Sequence, residues 1–182
     1  MTRKLLLAVL ISFASCGVAL AQRYEVSDPQ RAIEDVIYDL EDLIDESRDR
    51  ELADKAEDIV SKLEDAAQEL SKDPADYPAA AGNIEGAIGD LEAAVKDRLM
   101  DGGSGMGLMD DLVSISRGLA TSTLAEARSR GANRQEIREA RNHLNRGDAL
   151  RASGRRGTIA AFKRAAARYK DALAKAESAI DD

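Results

Sequence analysis

Gly82-Asn83-Ile84-Glu85-Gly86-Ala87-Ile88-Gly89-Asp90-Leu91-Glu92-Ala93-Ala94-Val95-Lys96-Asp97-Arg98-Leu99 is the stretch on which the reading of this chain turns. At helical period, Ile84, Ile88, Leu91, Val95 and Leu99 form one apolar stripe. Gly82, Gly86, Gly89 and Ala93 form a second stripe, roughly 180° around the same helix. Glu85, Asp90, Glu92, Lys96 and Asp97 fill the flanks between them. Each interior glycine costs about 0.8–1 kcal/mol of helix propensity relative to alanine, so the stripe requires compensation. Close approach by the main chain of a neighbouring helix supplies it. The spacing therefore predicts a helix over about 79–100, in the middle of a bundle, with Gly82, Gly86 and Gly89 as packing-critical positions. The alternative is a weak helix with an exposed glycine face.

Upstream, Asp73-Pro74-Ala75-Asp76-Tyr77-Pro78 reads as a loop. Before it, Asp28 is placed as an N-cap with Pro29 in the first helical turn, and Ile33, Ile37, Leu40 and Ile44 mark an apolar face widened by Val36 and Leu43. The segment 45–51 contains no apolar residue, and Leu52, Ala56, Ile59, Leu63, Ala66 and Leu70 resume the pattern out of heptad register. The slip favours a turn and two helices over one continuous helix across 29–72.

Downstream, the glycine-rich 101–107 reads as a flexible connector. It lacks the Lys-Ser/Thr and the preceding strand of a phosphate-binding loop. A fourth helix carries Leu108, Leu112, Ile115 and Leu119 and ends before Gly131. Asn133, with Glu136 three residues on, opens a fifth whose inner side is Ile137, Ala140, Leu144 and Leu150. After Gly154-Arg155-Arg156-Gly157, the sixth carries Ile159, Phe162, Ala166, Tyr169, Leu173, Ala176 and Ile180. No segment alternates with the period of a half-buried strand. The expected fold is all-α, a six-helix bundle in one domain over 29–182, with an acidic half at 29–100, a connector at 101–107 and a basic half at 108–182.

The N-terminus reads as an export signal over 1–21: Arg3 and Lys4, an apolar run from Leu5 to Ala14, and Ala19-Leu20-Ala21 as the cleavage site. That apolar run is shorter than the roughly 20 residues a membrane span needs. A lipoprotein anchored through Cys16 is the competing reading, disfavoured by Phe13 at the position where leucine is usual. Cleavage after Ala21 leaves a short tail over 22–28, removes the single cysteine and places the protein in the periplasm or outside the cell. The exported chain carries a charge division. Residues 22–111 hold 9 Lys+Arg against 26 Asp+Glu, and 112–182 hold 15 against 8, giving 9 − 26 = −17 and 15 − 8 = +7.

Residues 147–173 resemble one tetratricopeptide-type hairpin, through Gly147, Leu150 and Gly154 and then Phe162, Ala165, Tyr169, Ala172 and Leu173. Six extra residues after Gly154 depart from that motif, and a single copy lacks the stacked neighbours that form a binding groove. The resemblance thus implies helix-turn-helix geometry and not peptide binding. More broadly, 82–99, Leu108-Met109-Asp110-Asp111-Leu112 and 147–154 look like an uncharacterised helical module of secreted bacterial proteins. That likeness implies a fold and a location and brings no catalytic residues.

Catalytic chemistry finds little support. His143 is the single histidine, expected at a surface or boundary. The acidic run from Asp39 to Asp49 lacks the central glycine of a calcium loop. No metal and no cofactor is expected. The basic half is more suggestive: Arg128, Arg130, Arg134, Arg138, Arg141 and Arg146 are candidate anion-binding residues, continued by Arg151, Arg155 and Arg156. They either dock on the chain's own acidic half or meet an external anion. The reading is a non-catalytic exported helical interaction or structural module with a protein partner in the cell envelope or extracellular space. The alternative is a polyanion-binding protein, taking nucleic acid, lipopolysaccharide or acidic glycan. Aromatics interleaved for base stacking are missing.

Overall fold

The computed structural model describes residues 28–46 and 49–181. The export signal over 1–21, Cys16 and the tail over 22–27 lie outside the described residues. Six helices follow in order: α1 (Pro29–Glu46), α2 (Arg50–Leu70), α3 (Tyr77–Lys96), α4 (Gly102–Ser129), α5 (Arg134–Arg155) and α6 (Ala160–Asp181), with no strand among the described residues. The protein is an all-α six-helix bundle. α1 and α2 are separate helices, as the register slip predicts: Asp49 caps α2, its side chain accepting from the backbone N–H of Glu51 at 2.9 Å. Asp28 does the same for α1, accepting from the N–H of Arg31 at 3.1 Å.

α4 is the spine. Its 28 residues extend about 42 Å at 1.5 Å per residue, and it touches α1, α3, α5 and α6. α3 packs on α2, α4 and α6, and α1 reaches only α2 and α4. The main core is lined by fully buried Ile33, Leu40, Ile59, Leu63, Ile84, Ile88, Leu91, Met109, Leu112, Ile115, Phe162 and Tyr169. A smaller cluster of Leu124, Ala127, Ala140 and Ala176 closes the far end of α4, α5 and α6.

The glycine stripe of α3 is not what the spacing predicts. The Ile84/Ile88/Leu91 side is buried, and Ala80, Ala87 and Ala94 widen it into one arc. On the opposite side no helix backbone comes close. A Cβ added at Gly82 would meet nothing within 4 Å, and one at Gly86 would sit 3.5 Å from Lys62 Cδ. One at Gly89 would meet the end of the Lys163 side chain, with Nζ at 3.0 Å. Lysine side chains from α2 and α6 lie along this side, the Lys62 stem over Gly86 and the ammonium end of Lys163 over Gly89. Gly82, Gly86 and Gly89 are therefore not the tight positions.

The tight positions are elsewhere. A Cβ on Gly105 would clash with Val95 Cγ2, well inside van der Waals contact. One on Gly147 would lie 2.8 Å from Tyr169 Cδ1, and one on Gly154 would lie 2.8 Å from three ring atoms of Phe162. The glycine-rich 101–107 is accordingly not a connector but the opening of α4, a second correction. Asp101 caps it, accepting from the N–H groups of Gly103 at 2.8 Å and Ser104 at 3.1 Å. α3 ends earlier than predicted, with Arg98 at φ 62° turning the chain and Leu99 N–H donating to Ala94 O at 3.0 Å.

Candidate functional site: an arginine face on α5 and α6

α5 begins where the Asn133 side chain accepts from Gln135 N–H at 2.9 Å. From that cap, Arg134, Arg138, Arg141 and Asn145 step by four, three and four residues along one exposed side. Together with Ile137 and Asn142 they line an open groove of about 360 Å³. Arg146 stands one turn further on, at a second groove of about 570 Å³ between α5 and α6. Its floor is Ala149, Leu150 and Ala167, and Arg164, Arg168 and Asp171 complete its rim. Among the described residues, Arg134, Arg138, Arg141, Arg146 and Arg164 enter no ion pair, whereas Arg168 holds Asp171 at 3.0 Å.

The hairpin register explains why these residues meet. Gly147 receives the ring of Tyr169 and Gly154 that of Phe162. Glu139 pairs with Lys175 at 3.1 Å in the same antiparallel register. Positions 146–150 therefore lie beside 164–168. Arg164 and Arg168 are absent from the sequence-derived series because their proximity depends on this register. The Gly147/Tyr169 and Gly154/Phe162 pairings were the signal that could have found them.

The remaining candidates divide. Arg128 is exposed in the last turn of α4, and Arg130 is tied to Glu126 at 2.5 Å. Arg151, largely covered, and Arg155, more exposed, both grip Asp110, with Nε–Oδ1 distances of 2.7 and 2.9 Å. Burial pushes the Asp110 carboxyl up, but these hydrogen bonds outweigh it and hold it below the usual aspartate range. Asp148 behaves alike: burial opposes, while Arg117 Nε at 2.7 Å and the Tyr169 hydroxyl at 2.7 Å lower it. Across the charge division, Lys170 pairs with Glu85, and Arg151 and Arg155 pair with Asp110. Internal docking therefore uses Arg151 and Arg155 and leaves the outer arginines of α5 untouched.

No family model, curated protein or solved structure matches the chain. The arginine face is accordingly read on its chemistry alone. Guanidinium groups offer planar, permanently charged donors suited to carboxylate, phosphate or sulfate. His143 lies between α5 and α6, a quarter exposed, with Nδ1 3.3 Å from Asp171 Oδ2. Nothing in that arrangement supplies a nucleophile. Among the described residues no group of three His, Cys, Asp or Glu side chains is placed to hold a metal ion, and no helix is long and apolar enough to cross a membrane.

α4 also carries an acidic cleft against α1. Asp39, Asp42, Leu43, Ser104, Gly107, Leu108 and Asp111 line about 330 Å³. Burial, then the nearby charges of Asp110 and Asp39, push the Asp111 carboxyl up to about 6.

Proposed function

We propose that this protein is a non-catalytic, exported helical interaction module whose working surface is the arginine face of α5 and α6, and whose partner is an acidic protein surface. One observation carries the reading. Arg134, Arg138 and Arg141 share the outer side of α5, Arg146 stands exposed at the neighbouring groove, and none of the four is paired with a carboxylate among the described residues. Export rests on the sequence pattern over 1–21. The likeness of α5–α6 to a single tetratricopeptide hairpin belongs to the same proposal, supported by the seating of Tyr169 and Phe162 on Gly147 and Gly154. A second reading, a polyanion carrying phosphate or sulfate, is favoured by the even spacing of Arg134, Arg138 and Arg141 beside Asn142 and Asn145.

The test uses three defined probes: poly-glutamate, heparin and duplex DNA, titrated at 50 and 300 mM salt. Salt-sensitive binding of poly-glutamate, weakened at least tenfold in the R134E/R138E/R141E variant, is the expected result. Tenfold tighter binding of heparin or DNA than of poly-glutamate transfers the proposal to the second reading. Absence of binding to all three at 50 mM salt overturns both. Turnover on a hydrolase panel, abolished by changing one carboxylate, overturns the non-catalytic assignment.

A further inference from the structure

The acidic half bears its own unsatisfied surface, on a helix that touches neither α5 nor α6. Tyr38 is 63% exposed, the large hydrophobic side chain left in solvent among the described residues. It sits at the centre of the outer side of α1. Glu34 and Asp35 precede it by four and three residues, Glu41 and Asp42 follow by three and four, and Asp45 lies one turn beyond. All five are exposed, and none of them pairs with a cation among the described residues. Glu34 accepts only from the Gln30 amide at 3.3 Å. Arg31 is the basic residue on that side, at its N-terminal end.

The groove between α5 and α6 is the chemical complement of this stripe. It offers apolar lining (Ala149, Leu150, Ala167) among Arg146, Arg164, Arg168 and Asp171, the last already held by Arg168, so that Arg146 and Arg164 are its free cations among the described residues, and its 570 Å³ is ample for a phenol ring. A tyrosine flanked by carboxylates and a part-apolar trough of net positive charge match the anchor-and-rim pattern of protein interfaces. One molecule cannot satisfy both, because α1 touches α2 and α4 but neither α5 nor α6.

We infer that the α5–α6 groove receives the Tyr38 face of α1 from a second copy of this chain, so that copies associate head to tail. The inference rests on the reading of the arginine face as the contact surface and names its partner. Such an interface is heterologous. A pair keeps one free face of each kind, one on each copy, and association continues until a ring closes or a filament grows.

Sedimentation of the exported protein at 50 and 500 mM salt tests this. The expected weight-average mass rises with concentration at low salt and returns to the monomer at high salt. Two variants, Y38S/E41Q and R146Q/R164Q, remain monomeric alone and form a 1:1 complex when mixed, since each retains the face the other lacks. All four positions are solvent-facing or half-buried, and circular dichroism checks that both variants keep their helices. A wild-type protein that stays monomeric at millimolar concentration in low salt overturns the inference. So do variants that associate as the wild type does, or a mixture that forms no complex. If the wild type is monomeric yet binds poly-glutamate, and R146Q/R164Q loses that binding tenfold, self-docking fails while the arginine-face reading stands. Loss of both removes the two together.

Discussion

Asp110 and Asp111 are consecutive on α4, and they meet opposite surroundings. Asp110 faces α5, where Arg151 and Arg155 bracket it and hold its carboxyl low. Asp111 faces α1, where Asp39 and Asp42 share its cleft and its carboxyl is raised to about 6. One step of about 100° around a helix thus separates a clamped seam from a self-repelling one. The difference shows that the charge division of this chain is not uniformly neutralised by folding. It is closed at α5, where Asp148 is likewise held by Arg117 and Tyr169, and left open at α1. The seams also answer acid in opposite directions. Asp110 and Asp148, with lowered carboxyls, contribute stability that is present above the ordinary aspartate value of 3.8 and lost as pH falls through their depressed values. Asp111 contributes most below 3.8 and loses that contribution as pH rises through about 6.

The contrast can be broken most severely at Gly147. A methyl group there collides with the Tyr169 ring, whose hydroxyl serves Asp148. Gly147→Ala is expected to cost about 3 kcal/mol in urea unfolding. Asp110→Asn should cost about 2 kcal/mol, because Arg151, only 15% exposed in its side chain, keeps its charge and loses its counter-ion. A smaller cost at Asp110 than in Tyr169→Phe would mean that the clamp is not electrostatic. Tyr169→Phe removes one hydrogen bond to a carboxylate already held by Arg117, and about 1 kcal/mol is expected. Across the spine, Asp111→Asn should stabilise the protein by somewhat under 1 kcal/mol at pH 8 after solvent screening of this partly buried group. That gain should vanish below pH 4, where the wild-type acid is itself neutral. A gain independent of pH would show that burial of the charge plays no part in the α1 seam.

The helices were legible because burial of one apolar side dominates their energetics, and stripes such as Ile84/Ile88/Leu91 or Phe162/Tyr169/Leu173 record it directly. The break between α1 and α2 was legible for the same reason, as a phase error in that record. Glycine was not. Its propensity cost is equal at Gly86 and Gly105, yet Gly86 lies under a lysine stem and Gly105 makes room for Val95. Which situation holds depends on a neighbour remote in sequence, so the stripe on α3 suggested tightness where there is none, and the opening of α4 read as a connector. The candidate site was half legible. Helical spacing places Arg134, Arg138 and Arg141 together. Arg164 and Arg168 join Arg146 only through the α5–α6 register, and the pairing of Arg151 and Arg155 depends on where Asp110 falls across the interface.

The notch at Gly105 makes the start of the spine dependent on its neighbour. Four glycines in the first two turns of α4 leave that segment about 3–4 kcal/mol short of an alanine helix, too great a deficit for it to coil alone. Val95, from α3, and Met100, from the turn after it, are seated against Gly105 and supply packing that the segment lacks by itself. The first turns of the long spine therefore hold their helical form only against the corner that joins α3 to α4, and a smaller side chain at position 95 would loosen that end of the helix first.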